Sequence, residues 1–89
     1  MIEQQATIKN KLGLHARAAA KFVGLAQCFA ANITVVNGDQ SANGKSIMAM
    51  MILQATRGTT LSIRADGEDE DSALEQIIAL IDNLFEEGE

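Results

Sequence analysis

The stretch NITVVNGDQSANGKSIMAMMILQ, residues 32–54, decides the fold. Asn32 to Val36 is rich in β-branched residues and reads as a strand. Asn37-Gly38 follows, a pair that tolerates the positive φ of tight hairpin turns. Gln40 to Ala42 is then a short returning strand, broken by Asn43-Gly44. Ser46 stands where a helix N-cap is needed, and a helix is expected from about Ile47 to Gln54.

Outward from this ββα unit the pattern continues on both sides. Upstream, Ile2, Gln4, Ala6 and Ile8 alternate with Glu3, Gln5, Thr7 and Lys9, the period of a half-buried strand. Asn10 to Leu14, with Gly13, is a loop. From about Ala16 a helix is expected, because Ala19, Phe22, Val23, Ala26 and Phe29 form one apolar stripe and its many alanines favour helix. Downstream, Gly58 ends the second helical region, and Thr60 to Ala65 is a strand with Leu61, Ile63 and Ala65 on one face. A last helix is expected from near Glu70 to about Phe85, with Leu74, Ile77, Ile78, Ile81 and Leu84 as its stripe. Its acidic first turn suits the helix dipole; Ser72 with Glu75 would make a capping box, or Asp69 or Asp71 would cap. The order β-α-β-β-α-β-α predicts an α+β open-faced sandwich, a four-stranded antiparallel sheet with three helices on one face.

Size and composition narrow the function. Eighty-nine residues, 47% of them apolar, allow one core, so residues 1–89 are expected to form a single domain that needs neither metal nor disulfide. The only aromatics are three Phe, leaving Ile, Leu, Val, Met and Ala to build most of the core. The one cysteine, Cys28, has no internal partner, which suits a reducing cytosol; in an alanine-rich helical stretch it reads as a small buried apolar residue. No basic-then-apolar leader opens the sequence, and the longest apolar run, Ile47 to Leu53, is too short for membrane insertion, so a cytoplasmic protein is expected.

Charge is divided along the chain. Residues 1–65 hold all seven Lys and Arg with only Glu3 and Asp39 against them, a net +5, whereas residues 66–89 hold ten acids and no base. The acidic segment reads as a solvated helix. A basic surface around Arg17, Lys21 and Lys45 would steer an acidic partner or a phosphate. With a net charge of −5 and no aromatic platform for bases, nucleic acid is not the expected partner.

The single histidine, His15, sits where the Gly13 loop turns into a helix. The first N–H groups of a helix have no internal partners and, with the dipole, favour an anion. A histidine there is able to hold a phosphoryl group while the amides of Ala16 and Arg17 bond its oxygens and the Arg17 guanidinium adds charge. Neutral imidazole is nucleophilic near physiological pH. By spacing alone, a capping or surface histidine is the better reading, because His-x-Arg is a short signal. A compact phosphate-binding hydrolase, similar to an acylphosphatase, is a competing class, but the sequence offers no second polar group to position water.

The longer strings change the balance. Asn10-Lys11-Leu12-Gly13-Leu14-His15-Ala16-Arg17 resembles the active-site segment of the HPr family, the phosphocarriers of the bacterial phosphoenolpyruvate-dependent phosphotransferase system. Asn43-Gly44-Lys45-Ser46-Ile47-Met48 resembles the second signature of that family, around a regulatory serine. The resemblance runs over nearly the whole chain. It implies a carrier with a phosphohistidine intermediate rather than a stand-alone enzyme. His15 would carry the phosphoryl group on Nδ1, Arg17 and the Ala16 amide would stabilise it, enzyme I would donate and an enzyme IIA domain would accept. Ser46 would be the target of HPr kinase/phosphorylase, and Ala20, Lys21, Lys45, Ile47, Met48 and Met51 would face partners. A monomer without cofactor or metal is implied. Met50 and Ile52 are the core candidates of the second helix. Ala18 stands where the family usually has proline, and Gly24 and Gln27 stand where many sugar-transport members carry lysines. The Asn-Lys-Leu-Gly opening resembles the nitrogen-related branch. A module of this fold controlled through Ser46 only would lack the histidine that this chain has.

Overall fold

The structure, a computed structural model, describes residues 1–86; Glu87 and Glu89 of the acidic segment lie outside the described residues. Four strands, β1 (Ile2–Thr7), β2 (Asn32–Asn37), β3 (Gln40–Asn43) and β4 (Thr60–Asp66), form one antiparallel sheet in the order β1-β4-β2-β3. Three helices, α1 (Ala16–Ala26), α2 (Ile47–Ile52) and α3 (Glu70–Asp82), alternate with them as the sequence pattern predicts. Period-two alternation sets the register: Ile33 pairs with Ala65, and Val35 with both Ile63 and Ala42, all buried. Their neighbours Thr34, Ser62 and Arg64 turn to the open face. Helix residues Ala19, Phe22, Val23, Met50, Leu74, Ile77 and Ile81 close the core from the other side. At the β1 edge the alternation weakens, because Gln4 pairs with buried Ile63 yet stays exposed beside α3. No helix among the described residues is long and apolar enough to cross a membrane.

Four local expectations need correction. Cys28 is exposed, since it lies beyond the α1 C-cap Gln27, where the stripe no longer runs. Ile52 is 66% exposed whereas Met50 is fully buried, because α2 has only six residues and shows the sheet one narrow face. That helix also stops before Gln54, which takes φ 51°, and Asn37 Nδ2 donates to the terminal Leu53 carbonyl at 3.1 Å. Finally, α3 ends at Asp82 and is followed by a 3₁₀ turn, Leu84–Glu86, whose residues all have positive φ. The reversal of hand puts Phe85, not Leu84, into the core.

Asp69 occupies the N-cap position of α3 without capping it. Its carboxylate instead accepts the amides of Ala30 at 2.9 Å and Ala31 at 2.8 Å, tying the start of α3 to the turn before β2. Of the alternatives for this helix start, Asp69 holds the position, while Ser72 accepts a bond from Gln76 and Glu70 reaches back to the Gly67 amide at 3.1 Å. The Ala30 amide foremost, then the Ala31 amide and nearby Lys45, hold the Asp69 carboxyl below its ordinary 3.8. A depressed carboxylate stabilises the fold fully above its unfolded value and loses that contribution as pH falls through the folded value. Asp69→Asn is therefore expected to melt at a lower temperature than the wild type at neutral pH. The gap should close as pH is taken well below 3.8, where both side chains are neutral. Thermal melts across that range check this, and a gap independent of pH would contradict it.

Candidate phosphoryl-acceptor site

The site begins with how His15 is held. The chain from Ile8 to Leu14 is zipped to the loop after α2: Ile8 donates to the Thr59 carbonyl at 2.8 Å, Gly58 to that of Ile8 at 2.7 Å, and Leu14 to that of Ala55 at 2.8 Å. Gly13 is required between them, because its φ is +67° and a Cβ there would stand 2.5 Å from the Ala55 carbonyl oxygen. Beneath this loop the Asn10 side chain is fully buried, and its Nδ2 donates to the Gly13 carbonyl at 2.7 Å.

His15 is the N-cap of α1, with extended backbone (φ −76°, ψ 179°) and a carbonyl that accepts the first helical bond from Ala19 at 2.8 Å. Its side chain does the capping: Nδ1 accepts the Arg17 amide at 3.3 Å. An accepting Nδ1 carries a lone pair, which in the neutral ring places the proton on Nε2. Nδ1 thus lies over the positive end of an eleven-residue helix, and the ring is half-exposed. Ala16, Arg17 and Ala20 are exposed and Lys21 is half-buried on the same helix.

The second signature is brought to the opposite end of α1. Ser46 is the N-cap of α2, its Oγ accepting the Ala49 amide at 3.3 Å. Gln27 donates to the Lys45 carbonyl at 3.3 Å, and Lys45 Nζ donates to the Phe29 carbonyl at 2.7 Å. The Lys45 ammonium is therefore bonded to the turn that follows α1. At about 1.5 Å rise per residue, the length of α1 puts it on the order of 16 Å from His15. The structure brings the Arg17 main-chain amide to His15 and does not bring Lys45 there. Between the two ends runs α2, with Ile47 43%, Met48 75%, Met51 41% and Ile52 66% exposed. Sequence reasoning passed over three contributors: Asn10, the Ala55 carbonyl, and Leu12, 69% exposed in the His15 loop. Leu12 was legible as an apolar residue inside a polar loop; the other two act through tertiary bonds that leave no local pattern. Among the described residues no cluster of His, Cys, Asp and Glu is placed to hold a metal ion.

Comparison with known proteins places the chain in a family. The family described as "PTS HPr component phosphorylation site" matches residues 2–83. Phosphocarrier protein HPr of Pseudomonas aeruginosa is 54% identical over 84 residues, 93% of each chain. Phosphocarrier protein NPr of Shewanella violacea is 45% identical over 87 residues, 98% of this chain and 96% of that one. A crystal structure of "HPr-C-His" from Thermoanaerobacter tengcongensis superposes with a TM-score of 0.94 at 41% identity, covering 98% of both chains. A family match over almost the whole length, close relatives and a shared fold lead to one conclusion: the chain belongs to the HPr family, the phosphocarrier proteins of the bacterial phosphotransferase system.

Proposed function

We propose that His15 accepts a phosphoryl group on Nδ1 from enzyme I, charged by phosphoenolpyruvate, and passes it to an enzyme IIA domain. The observation that carries this reading is the contact of Nδ1 with the Arg17 amide at the start of α1. In the transfer, the Nδ1 lone pair attacks phosphorus, the bond from phosphorus to the donor breaks, and its electron pair stays with the donor. Nε2 keeps its proton. The lone pair that attacks is the one that accepted the Arg17 amide, so that hydrogen bond is given up and the freed amide, with the other first amides of α1, meets the new phosphoryl oxygens, while the Arg17 side chain adds positive charge. Incubation with enzyme I and phosphoenolpyruvate should add one phosphoryl group, acid-labile and base-stable; absence of uptake would refute the reading. Chase with IIA domains of the sugar-transport and nitrogen-related kinds assigns the branch. The carrier is expected to act as a monomer in the cytoplasm, which sedimentation of the free and charged forms and cell fractionation test.

Ser46 is proposed as a second, regulatory phosphorylation site. A phosphate there sits at the start of α2, where negative charge is tolerated, so the fold should persist. It would stand at the end of the exposed Ile47–Ile52 face that is remote from His15, and so act on docking rather than on the imidazole. Ser46→Asp is expected to bind enzyme I about tenfold more weakly, a loss partly relieved by salt. Ser46→Ala should lose about 1 kcal/mol of stability with its cap and dock normally. Titrating both with enzyme I checks this, and unchanged affinity for Ser46→Asp leaves Ser46 a cap only.

A further inference from the structure

Among the described residues the fully buried side chains are apolar with one exception, Asn10. We propose that Asn10 is a positioning residue for transfer at His15, acting through Gly13 and Leu14; this rests on His15 being the acceptor. Burying an amide is unfavourable unless it is well bonded, and an apolar residue would fill the same space without that penalty. What the amide adds is the second point of a grip whose first point is the main chain. The Asn10 main-chain carbonyl accepts the Gly13 amide at 3.2 Å, and Asn10 Nδ2 donates to the Gly13 carbonyl at 2.7 Å. Both peptide groups of Gly13 are thus held from one side. From the other side the Ala55 carbonyl bonds the Leu14 amide at 2.8 Å. Thr56 Cα lies only 2.9 Å from where a Gly13 Cβ would stand, so Gly13 has no room to move that way.

The consequence for His15 follows from chain geometry. A peptide unit is planar, so each residue has two soft dihedrals. With the Gly13–Leu14 peptide clamped and the helix fixed from Ala16 onward, few rotations remain to choose where the imidazole points. That restriction holds the His15 backbone where Nδ1 reaches the Arg17 amide, at 3.3 Å. Asn10 touches neither the phosphoryl group nor the ring, and acts by fixing the peptide from which the ring hangs.

Asn10→Asp keeps the shape and removes the donor, setting a carboxylate oxygen against the Gly13 carbonyl; Asn10→Ser, with a donor on a shorter stem, is the milder variant. Two readouts are taken on each: phosphoryl uptake from enzyme I over a range of carrier concentrations, and the Arg17 amide resonance of the unphosphorylated protein. The expected result for Asn10→Asp is a maximal rate lower by on the order of ten- to a hundredfold, as misplacement of a reacting group produces. The half-saturating concentration should change little, because the Ile47–Ile52 face is untouched, and the Arg17 amide should shift. Asn10→Ser should fall between. Leu74→Ala serves as the control for lost stability, because buried Leu74 packs beside Ile2 and Gln4 at the far end of β1. It should unfold more easily and transfer at the wild-type rate. Folded Asn10 variants with a wild-type rate, or an Arg17 amide that does not move, overturn the proposal, as does Leu74→Ala slowing transfer equally. Should the wild type itself take up no phosphoryl group, the reading of function fails, and the Arg17 resonance still decides whether Asn10 orients His15.

Discussion

His15→Ala should take up no phosphoryl group from enzyme I and phosphoenolpyruvate under conditions that load the wild type fully. The expected loss is complete because the side chain is the only imidazole in the chain and its Nδ1 is the group over the start of α1. The same substitution also removes the α1 cap, at about 1 kcal/mol, so a second variant separates the two roles. Asn is a strong N-cap and has no nucleophilic nitrogen. His15→Asn should therefore melt close to the wild type and still remain unlabelled. Arg17→Ala gives the contrast. It retains the acceptor and loses a charge that matters chiefly when the phosphoryl group is present, so it should load slowly, by on the order of a hundredfold, with little change in thermal unfolding. Label on either His15 variant would move the acceptor elsewhere, and a wild-type rate for Arg17→Ala would remove the guanidinium from the site.

Phe22→Ala should be among the most destabilising single substitutions, at about 3–5 kcal/mol. Its ring is fully buried on α1 against β2, where Ile33 Cγ2 would lie 2.6 Å and Phe22 Cε1 3.1 Å from a Cβ on Gly44. The cavity left by the ring would be walled partly by main chain at Gly44, which bonds to the Ile33 carbonyl at 2.7 Å and is poorly able to collapse inward. Small domains have about 5 kcal/mol or a little more in total. At about 4–8 °C per kcal/mol for this size, the melting temperature should fall by roughly 15 °C or more. Urea and thermal unfolding measure it, and a loss below about 1 kcal/mol would show that the site refills.

These residues show what was legible in sequence and what was not. The α1 stripe and the Asn37-Gly38 turn announce themselves because their signals are local: apolar spacing at 3.6, and tolerance of positive φ. His15 is legible as a helix start for the same reason, and the family strings suggest the chemistry proposed for it. The unreadable parts are those settled by partners far along the chain. Asp69 looks like a cap and is one in position, but the Ala30 and Ala31 amides, nearly forty residues away, take its carboxylate. Ile52 looks like core because fewer than two helical turns give no stripe to read. Phe85 is buried by three consecutive positive-φ residues, none of them glycine, for which no propensity rule gives warning. Asn10 reads as loop filler until the Gly13 carbonyl is seen above it.

The strand order has a consequence for how the molecule assembles. β4 lies between β1 and β2, so the N-terminal strand has no neighbour until residues 60–66 exist. On a ribosome, the β2–β3 hairpin and α1 can begin to organise early, while β1 must wait as an unpaired strand through most of synthesis. Closing Ile2 against Ala65 also spans the longest loop of the sheet, and such distant pairings slow folding. Insertion of β4 is thus the step that turns a collection of local elements into a cooperative unit. It is also the step that brings Ile8 against Gly58 and Thr59, so the loop before His15 is completed late, when the sheet closes.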